Sequence, residues 1–239
     1  MPKKPMKYTS RRSRLLVRRW RKTMKGVPVF IIGNGCSVTD EPIADLLKNC
    51  FTIGVNRSFK VMETTILLWQ DIEFWHDKKV RKKLPKIKSI KYCRSSADPR
   101  GLAYHFKLMA GPFKLPPNPM TLFGFGATGP LAFQLAYALG CYPITLIGFD
   151  CKYKNGKTDF YGINPDHKKH TLANCTRGLR WIMKCNELSH VKVINCSDNS
   201  IFRERRSVKE VVESLPDKHK NYTLKQLSSL LFMKKDNKK

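Results

Sequence analysis

Short apolar runs alternate with turn-forming and polar residues along most of this chain. Residues 29–32, 51–56 and 66–71 are strand-length runs that are apolar almost throughout, and each breaks at a polar side chain: Asn34 after Gly33, then Asn56, then Gln70 and Asp71. Continuous apolar runs of this length, bounded by turn signals, predict strands covered on both faces. Residues 89–93, 144–150 and 191–195 read the same way, the second ending at Asp150. Helical spacing separates these runs. Residues 42–48 predict a short helix with Thr39 or Asp40 as its cap. Residues 129–140 are almost wholly apolar, with Thr128 as the cap, Pro130 in the first turn and Gly140 as the stop. In 171–188, Leu172, Cys175, Leu179, Ile182 and Cys185 recur at helical spacing. Residues 95–120, with prolines at 99, 112, 116, 117 and 119, read as one long irregular loop. Residues 203–215 and 223–233 read as short helices. The pattern predicts an α/β, Rossmann-like and mostly parallel sheet with helices on both faces. It spans 26–200, between a basic arm at 1–25 and a basic helical tail at 201–239.

Ligands of open α/β sheets sit at the carboxyl ends of the strands. The polar endings therefore predict a crescent at one sheet edge. Its first member is the turn Gly33-Asn34-Gly35-Cys36-Ser37, whose glycines permit positive φ and close approach to a ligand. The turn is no dinucleotide fingerprint, because Val38 stands where a third glycine would be needed, and no Lys-Ser/Thr follows to make a phosphate loop. Asn34, Asn56 and Gln70 carry amides that both donate and accept, which suits a base edge or a ribose. Asp71 reads as a ribose contact or a helix cap. Asp150 reads as a residue that orients others or as a turn former. Thr128 and Gly129 open the apolar helix, whose amino terminus suits a phosphate.

Charge adds a partner to this picture. Across 239 residues the formal charge is +28. Residues 1–25 carry eleven Lys or Arg and no acid, and residues 78–94 carry nine and no acid. A polyanion is the natural partner: nucleic acid first, with an acidic glycan or an anionic membrane surface as the alternatives. The Arg-rich amino terminus also has the composition of an organellar transit peptide. No apolar run approaches membrane-spanning length. Eight cysteines form no Cys-x-x-Cys pair, which predicts free thiols in a reducing, cytoplasmic setting rather than zinc ligands or a disulfide framework.

The turn at 33–37, the strand-end Asn56, the helix opening Thr128-Gly129, the strand Ile147-Gly148-Phe149-Asp150 with its Tyr-rich loop, and a His just before a helix resemble the bacterial sialyltransferases of glycosyltransferase family 42 and their uncharacterised Rossmann-like relatives. The likeness runs over about residues 28–196. It implies a GT-A-like, metal-independent transferase using a CMP-activated sugar as donor substrate. Asn34, Ser37 and Asn56 match donor-nucleotide contacts, Thr128 and Gly129 lie against the donor, Tyr153 and Tyr161 help the phosphate leave, and His170 is the general base. His167 is the fallback base. The chain departs from the family at Cys36, where a Pro is usual, and in a much shorter loop from 150 to 170. A sugar transfer needs an acceptor proton removed and a leaving phosphate stabilised. Imidazole suits the first; tyrosine hydroxyls, lysines and a helix amino terminus suit the second. The expectation is a nucleotide-sugar transferase acting on a hydroxyl of a polyanion, modified DNA or other nucleic acid first. The alternatives are a surface glycan as acceptor, a non-catalytic nucleic-acid-binding protein, and a Mg²⁺-dependent pyrophosphate-transferring kinase.

Overall fold

The structure is a computed structural model that describes residues 24–110, 115–116, 118–124, 126–163, 170–189, 191–199 and 201–219. Most of the amino-terminal arm, the expected helix at 223–233 and His167 lie outside the described residues. In chain order the elements are β1 (Val29–Ile32), α1 (Ile43–Leu46), β2 (Thr52–Val55), β3 (Ile66–Trp69), α2 (Glu73–His76), α3 (Lys78–Lys83), β4 (Ile90–Arg94), β5 (Tyr104–Met109), β6 (Thr121–Phe123), α4 (Thr128–Ala138), β7 (Ile144–Ile147), α5 (Thr171–Ser189), β8 (Val193–Asn195) and α6 (Val208–Glu213).

The eight strands form one sheet in the order β6-β5-β4-β3-β2-β1-β7-β8, and every neighbouring pair is parallel. Phe30 of β1 lies opposite Thr52 of β2 on one side and Thr145 of β7 on the other. The chain steps outward from β1 to β6 and then returns through α4 to β7 on the opposite flank of β1. The strand order therefore reverses at β1, and carboxyl ends diverge there to leave a crevice.

Alternation along each strand divides the core between the two faces. Val29 and Ile31 pack with α4 and α5, whose Leu131, Phe133, Leu179 and Ile182 belong to the same cluster. Phe30 and Ile32 pack on the other face with Ile43 of α1 and Val208 and Val211 of α6. Further along that face, Leu67 and Trp69 pack with Phe74 and Trp75 of α2 and Val80 of α3. The α4 helix is apolar on all sides because it is enclosed on all sides. Its one amide, Gln134, is fully buried. Gln134 Nε2 donates to the Phe123 carbonyl and its Oε1 accepts the Phe123 N–H, each at 2.8 Å, so it ties the edge strand β6 to the centre.

Three sequence expectations change. Residues 95–120 are not one irregular loop: β5 runs through their middle, and β6 begins just after. The prolines flank β5 rather than interrupt it, and inside them Tyr104, Phe106 and Leu108 alternate with His105 and Lys107, the period-two pattern of a strand, here paired with β4. Thr128 is not the cap of α4 but its first helical residue; the capping position is Ala127, which offers no side-chain bond. Finally, α6 is docked on the sheet. Ser207 and Glu210 close a capping box, and the Glu41 carboxylate accepts from Val208 N at 2.7 Å and Lys209 N at 3.1 Å.

Replacing Gln134 by Leu keeps the volume and removes both bonds to β6. Urea unfolding should show a loss of about 1–3 kcal/mol, with protection of β6 amides from hydrogen exchange falling first.

Candidate active site at the strand-order reversal

A cavity of about 400 Å³ opens at the carboxyl edge of the sheet, where β1, β2, β3 and β7 end. Gly33, Asn34 and Gly35 follow β1 into it, Asn56 and Arg57 follow β2, and Gln70 and Asp71 follow β3. Thr128 and Gly129 enter from the amino terminus of α4, and His170, Thr171, Asn174 and Cys175 from the start of α5. The turn at Gly33 and the imidazole of His170, remote in sequence, thus line one cavity. Nine of the residues expected from sequence meet here: Gly33, Asn34, Gly35, Asn56, Gln70, Asp71, Thr128, Gly129 and His170.

Local packing explains these positions. Gly33 N donates to Ile147 O at 2.7 Å and Gly35 N to Gly148 O at 2.8 Å. A Cβ on Gly33 would lie 2.3 Å from Gly148 O, and one on Gly35 2.7 Å from the Asp150 carboxyl carbon. The glycines of the turn are thus required by the neighbouring β7 end before any ligand is considered. Asn56 holds φ of +48°, sparsely populated for a side-chain-bearing residue, on the cavity wall. The α5 helix is set by a close crossing: a Cβ on Gly178 would lie 2.2 Å from Pro130. That contact sets the second turn of α5 against the first turn of α4, with the start of α5 and His170 at the cavity. Ala127 leaves the first N–H groups of α4 without a side-chain cap at that wall.

Ser37 and Asp150 do not line the cavity. Asp150 Oδ2 accepts from Ser37 N at 2.7 Å, and its Oδ1 accepts from the Ser37 hydroxyl and from Asp198 N at 3.1 Å. Both side chains are spent on joining the β1 turn, the β7 end and the segment after β8. The two tyrosines are also not among the lining residues. Tyr153 is 64% exposed on a loop closed by the Lys154–Lys157 bridge. The Tyr161 ring lies under Arg57 at 5.4 Å and Lys60 at 4.6 Å. Burial pushes the Tyr161 hydroxyl well above its ordinary range, and Asp159 adds to the effect.

The sequence reading missed Arg57, Glu73, Thr158, Asp159 and Asn174 in the lining. Arg57 is 5% exposed and is the one Lys or Arg among the described lining residues. Its Nη2 donates to Asp77 Oδ2 at 2.9 Å, and Asp77 Oδ1 caps α3 by accepting from Lys79 N and Val80 N. The signal for Arg57 was its place directly after Asn56. Two cysteines also depart from expectation: Cys151 and Cys175 are joined as a disulfide, with Cα atoms 5.6 Å apart, and both line the cavity. They are separated by 24 residues, so only the return of α5 over the sheet brings them together. Burial, then Asp150 and Asp159, raise the Cys36 thiol, which disfavours a thiolate nucleophile. Among the described residues, the one close group of three metal-ligand types is Cys93, Asp98 and His105, outside the cavity. Its carboxylate already accepts from Leu102 N, Ala103 N and His105 Nε2.

No family model matches the chain, and no curated protein matches it. Solved structures of a sialyltransferase are similar in fold at 14% identity. For CstII from Campylobacter jejuni in complex with the substrate analogue cytidine-5'-monophosphate, the match covers 74% of this chain and 82% of that one, with a TM-score of 0.44. For CstII with CMP-3FNeuAc the figures are 71%, 80% and 0.40. For CST-II with a trisaccharide acceptor and CMP they are 70%, 80% and 0.39. Likeness at this level says nothing of what this chain binds.

Two outcomes test the construction of the site. Asp150→Ala removes the shared acceptor of the Ser37 N–H, the Ser37 hydroxyl and the Asp198 N–H and should cost about 2–4 kcal/mol in urea unfolding, whereas Thr39→Ala, on the exposed side of the same turn, should cost under about 1 kcal/mol. For Asp77, burial opposes ionisation, but the bonds from Arg57, Lys79 N and Val80 N outweigh it and lower its pKa below 3.8. Its contribution is therefore present above about pH 4 and lost as the pH falls through the lowered folded value. Asp77→Asn keeps a capping oxygen but loses the charge opposite Arg57; it should destabilise by about 1 kcal/mol at pH 7, and the gap from wild type should narrow on acidification below pH 4.

Proposed function

We propose that the chain is a transferase that takes a nucleotide-activated sugar in the cavity and passes the sugar to a hydroxyl of a polyanionic acceptor. The observation that carries this reading is the convergence on one cavity of Asn34, Asn56, Gln70, the uncapped amino terminus of α4 and His170. Amides serve the base and ribose. The Thr128 and Gly129 N–H groups at the start of α4, which Ala127 does not cap, with the dipole of an 11-residue helix behind them, serve a phosphate. His170 accepts the acceptor proton as the hydroxyl oxygen bonds to the anomeric carbon. The bond from that carbon to the phosphate oxygen breaks, and the nucleotide leaves with the electron pair. Arg57 supplies the positive charge that steadies the departing phosphate, a task the resemblance gives to Tyr153 and Tyr161. The CMP type of the donor rests on the resemblance of the sequence motifs, and no step of this scheme calls on a metal ion.

Asp71, Glu73 and Asp159 also line the cavity. These carboxylates favour a second reading, pyrophosphoryl transfer from a Mg²⁺ nucleotide. Chelation separates the two, since sugar transfer as written survives it.

A thermal-shift panel of CMP, UDP and GDP sugars tests the first reading. A CMP sugar at about 100 times its Kd should stabilise the protein by about 2.7 kcal/mol. His170→Ala should keep this shift and lose transfer by at least about 100-fold. No shift with any nucleotide sugar would remove the reading.

A further inference from the structure

The cavity mouth lies between two cationic flanks, and we propose that together they hold a single strand of nucleic acid. The first flank is α3. It starts at Asp77, the residue that Arg57 grips from the cavity wall. Lys78, Lys79, Arg81, Lys82 and Lys83 are exposed, whereas Val80 and Leu84 are buried against the sheet. Lys86 and Lys88 extend the same surface. Two acids beside α3 are engaged elsewhere: Asp77 with Arg57 and the α3 amides, Glu63 with Lys88 N. Among the described residues, none of the five α3 cations makes an ion pair with a carboxylate. Burial lowers the pKa of Lys60, and Arg57, Lys79 and Lys83 push it the same way, as befits a crowded positive surface that reaches the cavity.

The second flank is the loop after β7, whose Cys151, Thr158 and Asp159 line the cavity. It carries Lys152, Lys154 and Lys157 around Tyr153, which is 64% exposed. Lys152 and Lys154 reach Asp198 at 2.9 Å and Asp40 at 3.4 Å in exposed pairs, which are weak enough to yield to a phosphate. An exposed aromatic ring among lysines is the arrangement that takes an unpaired base by stacking while the backbone follows the charges. The absence of exposed apolar residues on α3 disfavours a bilayer, which takes up an apolar helix face. An acidic glycan offers no planar base to the ring. As the acceptor of the transfer, the strand rests on the reading of the cavity given above. As a ligand of the two flanks, it does not.

The test is anisotropy of a labelled single-stranded oligonucleotide of about 20 nucleotides with the full chain, titrated against salt. Neutralising α3 (Lys79→Gln, Arg81→Gln, Lys82→Gln and Lys83→Gln together) should lower the salt slope by about 0.7 per lost contact. Tyr153→Ala should weaken binding about 10-fold with the slope unchanged. A third variant neutralises Arg11, Arg12, Arg18 and Arg19 in the arm, and melting curves confirm that all three variants fold. If the α3 and Tyr153 variants bind like wild type and only the arm variant loses affinity, the surface is wrongly assigned. Equal competition by duplex of the same length, or by anionic vesicles, also overturns it. Strand binding without any nucleotide-sugar shift would sink the transferase reading and leave this surface standing. A shift without strand binding would do the reverse.

Discussion

The close meeting of the β1 and β7 ends is the constraint on which the rest of the site depends. Gly33 and Gly35 donate to the backbone of Ile147 and Gly148 where no Cβ fits. Gly148 itself turns at φ of +69°, open to glycine at little cost. The carboxylate of Asp150 then ties the β7 end to two further segments, accepting the buried Ser37 N–H and the half-buried Asp198 N–H that would otherwise lack an acceptor. Once this junction is fixed, the turn at Asn34 has one orientation. The loop after β7 is tied to it as well, since Phe160 N donates to Asn34 O at 2.8 Å.

A second contact completes the cavity from above. Gly178 against Pro130 lets α5 cross the beginning of α4 with almost nothing between them, and Phe133 against Trp181 at 5.9 Å braces the crossing. The consequence is chemical. His170, whose carbonyl accepts from Asn174 N at 2.8 Å just ahead of α5, and the amino terminus of α4 come to the same cavity, so a proton acceptor and an anion site sit at the starts of two packed helices. The Arg57–Asp77 pair extends the site outward, because one carboxylate both holds the cavity's arginine and starts the basic helix α3. Charge at the cavity and charge on the surface are mechanically one unit there.

The strands and the large helices were legible in the sequence because the hydrophobic period is a local property. Runs such as Val29–Ile32 and Ile144–Ile147 must be strands buried on both faces, and the apolar α4 must be enclosed. Polar residues at the strand ends marked the cavity edge for the same reason: Asn34, Asn56, Gln70 and Asp71 are where each run stops. The strand β5 was legible too, since Tyr104, Phe106 and Leu108 alternate with His105 and Lys107, but the prolines on either side masked the pattern.

Which of the polar residues face the cavity was decided by tertiary structure alone. Ser37 and Asp150 lie far apart in sequence, and nothing local tells that each is the other's partner. Cys151 and Cys175 meet only because α5 returns over the sheet, and Arg57 becomes a cavity residue only because Asn56 turns it inward and Asp77 holds it. Periodicity and composition determined the α/β class, the position of the sheet edge and the excess positive charge, since each is summed from neighbours along the chain. The cavity, the arginine on its wall and its histidine were decided by long-range pairings, in which the energy lies between residues that the sequence does not place side by side.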